Sequence, residues 1–231
     1  EMLDTVEEVF IHEKQFSSDV SHELRTPITV ILAQSDYALQ YSDTLEETKE
    51  SLEVINRHAK RMTNLINQIM ELSKLERQKE IEKEKINLSN IVLQLLEDYK
   101  PLLESKNLNL IYNVEKDIRI QGNKIMLERV FLNILMNAVK FTKTNIEVSL
   151  TREDKTAVLK IRDNGIGISE ENKKFIWERF FQVNDSRNKE ENKGSGLGLS
   201  MVKKIVDLHS ATIDLESELE QGTCFTIKFN M

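Results

Sequence analysis

The chain has 231 residues, and its 32 basic and 39 acidic side chains give a formal net charge of −7. An apolar share of 39% excludes a wholly disordered chain, and 2 prolines with 7 glycines are too few for a turn-dense all-β fold. The negative charge also argues against general nucleic-acid binding, which depends on clustered basic residues.

Residues 1–79 have the pattern of two long helices, because they contain no glycine and one proline, Pro27. The polar stretch Gln40–Thr44 predicts the turn between them, with Asp43 or Thr44 as the N-cap of the second helix. Apolar residues recur three or four positions apart in both helices: Phe16, Val20, Leu24, Ile28 and Ile31, then Leu52, Ile55, Ala59, Met62, Ile66 and Ile69. Two helices alone cannot bury both stripes, so we expect a homodimer with a four-helix bundle.

The composition becomes almost wholly charged between residues 76 and 85, which predicts a domain boundary there. We expect a helical hairpin over 1–79, a linker over 80–87 and a second domain over 88–231. In that domain helices are predicted at Leu88–Ser105, Lys124–Phe141 and Gly196–His209. Strands are predicted at Asn109–Val114, Ile118–Gln121, Ile146–Arg152, Thr156–Arg162, Thr212–Glu216 and Thr223–Phe229. This order predicts an α/β sandwich, with a polar loop at Asn184–Lys193.

Two glycine-bearing segments of the second domain have the composition of nucleotide-binding turns. Asp163-Asn164-Gly165-Ile166-Gly167 follows a predicted strand; its glycines allow a flat ligand to approach, and the Asp163 carboxylate can accept a hydrogen bond from an amine such as that of adenine. Gly194-Ser195-Gly196-Leu197-Gly198-Leu199 opens a predicted helix, whose free amides and dipole favour phosphate. Either pattern also occurs in ordinary turns, so each alone leaves that reading open.

The predicted helix Lys124–Phe141 has a polar face. Spacings of four and three residues place Asn133, Asn137 and Lys140 on that face, opposite much of the apolar stripe. Amide oxygens are suitable ligands for Mg²⁺ on a triphosphate, and the Lys140 ammonium can contact the phosphates. In isolation, an ordinary solvated helix face explains the same pattern.

Among the four histidines of this chain, His22 has the neighbours that best indicate a chemical role. It lies about 200° around the helix from Val20, away from the apolar stripe. Glu23 can accept the proton of one ring nitrogen and make the other nitrogen a better nucleophile, Thr26 follows one turn later, and Pro27 bends the helix. We interpret the other three histidines as structural or surface residues: His12, His58 and His209.

In this order, and over nearly all of the chain, the motifs resemble the cytoplasmic core of two-component sensor histidine kinases. The five matching segments are the H box at Phe16–Pro27, the N box at Asn133–Thr142, the G1 box at Asp163–Gly167, the F box at Ile176–Phe181 and the G2 box at Gly194–Leu199. The resemblance implies a dimerisation and phosphotransfer hairpin followed by an ATP-binding domain of the gyrase-like Bergerat fold.

The resemblance also implies roles for single residues. His22 would receive the γ-phosphoryl group of ATP on Nε2, with Glu23 as general base and Thr26 positioning water for regulator dephosphorylation. Asn133 and Asn137 would hold Mg²⁺, Lys140 would contact phosphate and Asp163 would bind adenine. The ATP lid would span Phe175–Lys193, and further nucleotide-binding residues would be Gly165, Gly167, Arg179, Phe180, Gly194, Gly196, Leu197 and Gly198.

The partners that the resemblance implies are a second copy of the chain and the receiver domain of a response regulator, without nucleic acid. We expect a cytoplasmic location. The sequence begins at Glu1 without a signal-like segment, and the single Cys224 favours a reducing compartment. No stretch approaches the roughly 18 apolar residues of a membrane span. We expect the full-length protein to have an N-terminal sensor or membrane region and to be anchored in the cell membrane.

The sequence departs from the family pattern at two places. Many relatives have an arginine after the F box that can reach the γ-phosphate, where this chain has Gln182; Arg179 or Arg187 could substitute. His209-Ser210-Ala211 replaces a Gly-Gly turn. Two alternatives stay open: a non-catalytic nucleotide-binding dimerisation module, and a Bergerat-fold ATPase that uses hydrolysis for clamp closure, although the latter would not need the His22-Glu23 pair.

Overall fold

The computed structural model describes residues 2–183 and 194–231, with side chains described from residue 16 onward in those ranges. The predicted loop Asn184–Lys193 lies outside the described residues. The chain divides into two compact units, Glu1–Ser73 and Lys74–Met231. No helix among the described residues is both long and apolar enough to cross a bilayer.

The first unit is a helical hairpin. Helix α1 covers Met2–Gln40 and helix α2 begins at Leu45, ending at Arg77 in the second unit. Two hydrogen bonds fix the start of α2: the Glu47 N–H donates to Thr44 Oγ1 at 3.2 Å, and the Asp43 N–H donates to Glu47 Oε2 at 3.0 Å. The structure therefore confirms the predicted turn and assigns the cap to Thr44.

The second unit contains the remaining helices and all seven strands of the part that the structure describes. The helices are α3 (Leu88–Ser105), α4 (Lys124–Phe141), α5 (Glu170–Lys173) and α6 (Gly198–Leu208). The strands are β1 (Glu84–Asn87), β2 (Asn109–Val114), β3 (Arg119–Gly122), β4 (Asn145–Glu153), β5 (Thr156–Asp163), β6 (Thr212–Glu218) and β7 (Gly222–Asn230).

The main sheet has five strands in the order β2-β4-β5-β7-β6, in which β2 and β4 are parallel and the other neighbours antiparallel. Strands β1 and β3 form a separate antiparallel pair. Helix α4 contacts both α3 and α6, and each of the three helices contacts the sheet. Burial alternates along β4, whereas β5 and β7 contain runs of consecutive buried residues; Leu150, Leu159 and Ile227 are buried at matching register positions. Each such side chain contributes about 1.5–3 kcal/mol through burial.

The fold class is confirmed: a helical hairpin followed by an α/β sandwich. Every predicted strand is present within one or two residues, and α6 starts two residues later than expected. The expected linker over 80–87 differs, because residues 84–87 form β1 and pair with β3. The sequence did not predict this strand because the segment is mostly charged and has one buried apolar residue: Ile86 is buried, while Glu84 and Lys85 are exposed.

Candidate functional site

Helix α4 presents the polar face that the sequence predicts. Its N-cap is Asn123, whose Oδ1 accepts from the Met126 N–H at 3.2 Å. The apolar face of the helix is buried in the core, while Asn133, Asn137 and Lys140 are half-buried. These three side chains are therefore partly shielded from water yet open to a ligand, as phosphate and metal binding require.

The G2 segment lies against this polar face. A Cβ at Gly198 would lie 2.8 Å from Asn133 Oδ1, and a Cβ at Gly194 would lie 3.4 Å from Lys140 Nζ. Asn133 is held by its Nδ2, which donates to the Arg129 carbonyl at 3.0 Å, so its Oδ1 faces the start of α6. The helix N-terminus, the amide oxygen and the ammonium group thus occupy one region.

Asp163, at the end of β5, is 7% exposed and carries an almost buried carboxylate. Its Oδ1 accepts from the Gly165 N–H at 2.8 Å. Burial raises the pKa of the Asp163 carboxyl, and hydrogen bonds from the backbone of Gly165 and Thr223 oppose that effect. The same residue lines an open cleft of about 470 Å³ together with Lys173 and Gly222; the polar face of α4 and the G2 box do not line this cleft.

The G1 turn needs its glycines because other backbone segments lie against it. A Cβ at Gly165 would lie 2.1 Å from the Phe141 carbonyl oxygen, which is a clash with the last residue of α4. Gly167 has a φ of 67°, and a Cβ at this position would lie 1.9 Å from the Glu218 carbonyl oxygen. Any larger residue at 165 would push Asp163 away from α4.

The F box and the G2 box are joined through their backbones. The Phe180 N–H donates to the Gly196 carbonyl at 3.0 Å, and a Cβ at Gly196 would lie 2.6 Å from the Phe180 carbonyl carbon. Phe180 itself has a φ of 61°, a conformation that is rare for a bulky residue and costs free energy. Leu197 is fully buried, so its side chain is part of the core.

Arg179 is engaged in an ion pair within the second unit. Its Nη2 lies 2.5 Å from Glu76 Oε1 near the end of α2. A role for Arg179 at the γ-phosphate therefore requires this pair to open. Arg187, the other candidate for that role, and residues 184–193 of the expected ATP lid lie outside the described residues. Gln182 is described and half-buried.

The phosphoacceptor candidate lies in the first unit, on α1. His22 and Thr26 are exposed, Glu23 is half-buried and Pro27 is buried. Pro27 has no N–H for the Glu23 carbonyl, yet α1 continues through it, and Thr29 Oγ1 donates to the Arg25 carbonyl at 2.9 Å. An exposed imidazole beside a carboxylate on a continuous helix is accessible to a large reactant.

Three polar residues of the second unit escaped the sequence analysis. Asn164 makes four side-chain hydrogen bonds to the loop after α4. Ser217 Oγ accepts from the Ile168 N–H and donates to the Gly222 carbonyl, both at 2.9 Å. The Thr223 backbone hydrogen-bonds Asp163. Their partners are 5 to 60 residues away in the chain, so no local pattern signals these contacts.

The geometry of the second unit suits an adenine nucleotide. Asp163 offers an acceptor for an exocyclic amine, while the α6 N-terminus and Lys140 offer positive charge for phosphates. Asn133 and Asn137 offer amide oxygens, which are hard ligands for Mg²⁺, and the glycine at 198 allows the start of α6 to approach the amide oxygen of Asn133. The described residues thus fit a magnesium-bound triphosphate.

Comparison with known proteins covers both units. Residues 12–78 match the His Kinase A (phospho-acceptor) domain family, and residues 122–231 match the histidine kinase-, DNA gyrase B- and HSP90-like ATPase family. An uncharacterized sensor-like histidine kinase, ycf26 of Porphyra purpurea, is 34% identical over 96% of this chain and 37% of its own length. The chain spans about half the length, or less, of the curated relatives that it matches.

Solved structures show the same fold. The histidine kinase AdeS of Acinetobacter baumannii superimposes with a TM-score of 0.71 at 22% identity, covering 91% of this chain and 98% of AdeS. The histidine kinase ThkA, in complex with the response regulator protein TrrA, gives a TM-score of 0.78 at 22% identity, covering 97% of this chain and 63% of that one. At this identity the likeness concerns the fold.

Proposed function

This chain is the catalytic core of a member of the two-component sensor histidine kinase family, and we propose that it transfers the γ-phosphoryl group of ATP to His22 and then to an aspartate of a response regulator. One observation supports the proposal: the same chain has an exposed histidine next to a carboxylate and a set of groups that suit a nucleotide, namely Asp163, Lys140 and two asparagines. The partners would be a second copy of the chain and a receiver domain.

In the first step His22 Nε2 attacks the γ-phosphorus, the bond from that phosphorus to the bridging oxygen of ADP breaks, and ADP leaves. Glu23 accepts the proton of the other ring nitrogen as positive charge develops on the imidazole. Asn137 and Asn133 would hold Mg²⁺, which supplies charge neutralisation for the triphosphate. Lys140 and the amides at the start of α6 add positive charge, and phosphoryl transfer depends mainly on such positioning and neutralisation.

In the second step a carboxylate oxygen of the regulator's aspartate attacks the phosphorus on His22 and the N–P bond breaks. The proton held by Glu23 returns to the ring, which regenerates neutral histidine. The exposure of His22 supports this step, because a receiver domain must reach the imidazole. Since His22 and the nucleotide-binding residues belong to different units, we propose that the units move relative to each other during the cycle.

Incubation with γ-labelled ATP tests the assignment of His22. Wild-type protein should become labelled, and the label should be acid-labile and alkali-stable, as expected for phosphohistidine. His22→Gln should lose all label and keep near-normal ATP affinity, because the acceptor and the nucleotide site are in separate units. His58→Gln is the matched control and should label normally. Label persisting in His22→Gln would place the phosphoacceptor at another residue.

The same assay separates the alternatives. Free phosphate without labelled protein would indicate a Bergerat-fold ATPase, and neither product would indicate a binding module. The present site favours the kinase, because neither alternative requires a carboxylate next to an exposed histidine on the hairpin.

We also propose a phosphatase activity toward the phosphorylated regulator, supported by the exposed Thr26 hydroxyl one helical turn from His22. Thr26→Ala should keep autophosphorylation and lose regulator dephosphorylation, whereas Glu23→Ala should mainly lose the kinase reaction. The measurement follows label on His22 and on a purified phosphorylated regulator. If Thr26→Ala lowers both activities together with Tm, Thr26 only shapes the bend before Pro27.

A further inference from the structure

Asn164, the second residue of the G1 turn, binds the loop that follows α4. Its Oδ1 accepts from Thr142 Oγ1 at 2.9 Å, from the Thr144 N–H at 3.0 Å and from the Asn145 N–H at 2.9 Å. Its Nδ2 donates to Thr144 Oγ1 at 2.8 Å. One half-buried side chain therefore bonds three residues of the loop over residues 142–145: Thr142, Thr144 and Asn145.

These contacts connect the two halves of the nucleotide site. On one side Asn164 directly follows Asp163, the acceptor proposed for adenine. On the other side the loop begins at Thr142, the C-cap of α4, which is two residues after Lys140 and five after Asn137.

The backbone around Asn164 gives the connection little freedom. The Asn164 N–H donates to the Asn145 carbonyl at 3.3 Å, and the Ile166 N–H donates to the Phe141 carbonyl at 3.3 Å. Both bonds are long, so they add less than the four shorter side-chain bonds. Removing the carboxamide would leave two backbone N–H groups of the loop without their acceptor, which favours a shift of that loop.

We propose that Asn164 is a positioning residue for nucleotide binding: it sets the spacing between the Asp163 carboxylate and the phosphate-binding end of α4 without touching the nucleotide. The inference rests on the proposed function, because it needs a ligand that spans both groups. A ligand that contacts the Asp163 half alone does not depend on that spacing. The affinities for ATP and for adenosine therefore distinguish a positioning role of Asn164 from a purely structural one.

The test compares ATP and adenosine affinity in the full chain with Mg²⁺ present, by calorimetry for ATP and ligand-observed NMR for adenosine, alongside Tm without ligand. Asn164→Ala should weaken ATP binding by about tenfold or more, the size expected when buried groups lose a partner. Adenosine affinity should change by less than about threefold. Asn164→Asp retains an oxygen for the loop N–H groups and should recover most of the ATP affinity lost in Asn164→Ala.

Two controls define the other outcomes. Asn230→Ala, an exposed asparagine at the far end of β7, should change neither affinity. Asp163→Asn should weaken both ligands, because both carry the adenine amine. Equal loss of ATP and adenosine in Asn164→Ala, or a lower Tm with unchanged ATP affinity, would overturn the positioning role. If Asn164→Ala does not fold, the ratio of ATP affinity to adenosine affinity is measured in Asn164→Asp and Thr144→Val instead. A ratio below that of wild type supports the positioning role, and an unchanged ratio overturns it. Wild-type protein that binds no ATP would instead refute the proposed function.

Discussion

At the scale of single residues, Asp163 combines a proposed role in binding with an unfavourable effect on stability. Its carboxylate is almost buried, and burial raises its pKa, so the charged form is less favourable in the folded chain than in water. Because the folded-state pKa is raised, ionised Asp163 lowers stability as pH rises through that pKa. A residue that costs stability at neutral pH is a reasonable place to look for function.

We therefore expect Asp163→Asn to separate binding from stability. The amide removes the buried charge, so the Tm of the ligand-free protein at pH 7 should be unchanged or higher. ATP affinity should fall by roughly 5- to 150-fold, because a mismatched buried hydrogen bond costs about 1–3 kcal/mol. Calorimetry with ATP and GTP checks this result. Wild type should prefer ATP, since GTP has a carbonyl in place of the amine, and equal affinities would contradict the role of Asp163.

At the scale of elements, His209 links the two helices that border the nucleotide site. Its Nδ1–H donates to the Ile205 carbonyl within α6 at 2.7 Å, and its Nε2 accepts from the N–H of Asn123, the N-cap of α4, at 3.0 Å. This geometry requires the neutral ring. The residue is 8% exposed, and the sequence-based interpretation of His209 as structural agrees with this position.

The link should make stability depend on pH. Burial lowers the pKa of His209; the Ile205 carbonyl opposes this effect, and the positive charge of Lys83 adds to it. A His pKa that is depressed in the folded state contributes stability above the unfolded value near 6.5, and that stability is lost as pH falls toward the folded pKa.

We expect the Tm of wild type to fall between pH 7.5 and pH 5.5 more steeply than that of His209→Gln, whose amide oxygen can accept from Asn123 without titrating. Scanning calorimetry at several pH values measures the difference between the two proteins, which cancels the contributions of other groups. His12→Gln serves as the matched control. Parallel curves for wild type and His209→Gln would show that the ring is not the titrating group.

At the scale of the whole molecule, the hairpin exposes more apolar surface than a monomer normally keeps. Five large apolar residues on the two helices are between 42% and 66% exposed: Ile28, Leu32, Leu52, Ile66 and Met70. Leu52 and Ile66 belong to the heptad stripe that the sequence predicts on α2. A second hairpin would cover this surface, which supports the proposed homodimer with a four-helix bundle.

We expect the wild-type chain to be a dimer of about 54 kDa at micromolar concentration, since two-fold homodimers are the commonest closed assembly. The double variant Leu52→Lys and Ile66→Lys should shift it toward monomer, because a charge buried between helices without a partner is unfavourable. Light scattering coupled to size-exclusion chromatography gives the mass. Asn56→Lys, on an exposed position of the same helix, should stay dimeric. A monomeric wild type would refute the dimer.

The local sequence was sufficient for elements whose signal is periodic. The two long helices, the polar face of α4 and the glycine turns are visible because each depends on residues only a few positions apart. The binding candidates Asn133, Lys140 and Asp163 were found in this way, and the structure places them around the start of α6 and the G1 turn. Strand β1 was missed because it covers only four positions, of which Ile86 alone is apolar.

What the sequence by itself determined was thus the set of chemical groups and the elements that bear them, since residue type and periodicity are local properties. Only the tertiary structure showed that Asn164 holds the loop after α4, that His209 joins α6 to Asn123, and that Arg179 pairs with Glu76. These contacts join residues 19 to 103 positions apart. Such pairs depend on how the chain packs around its core, and a single sequence carries no pattern for them.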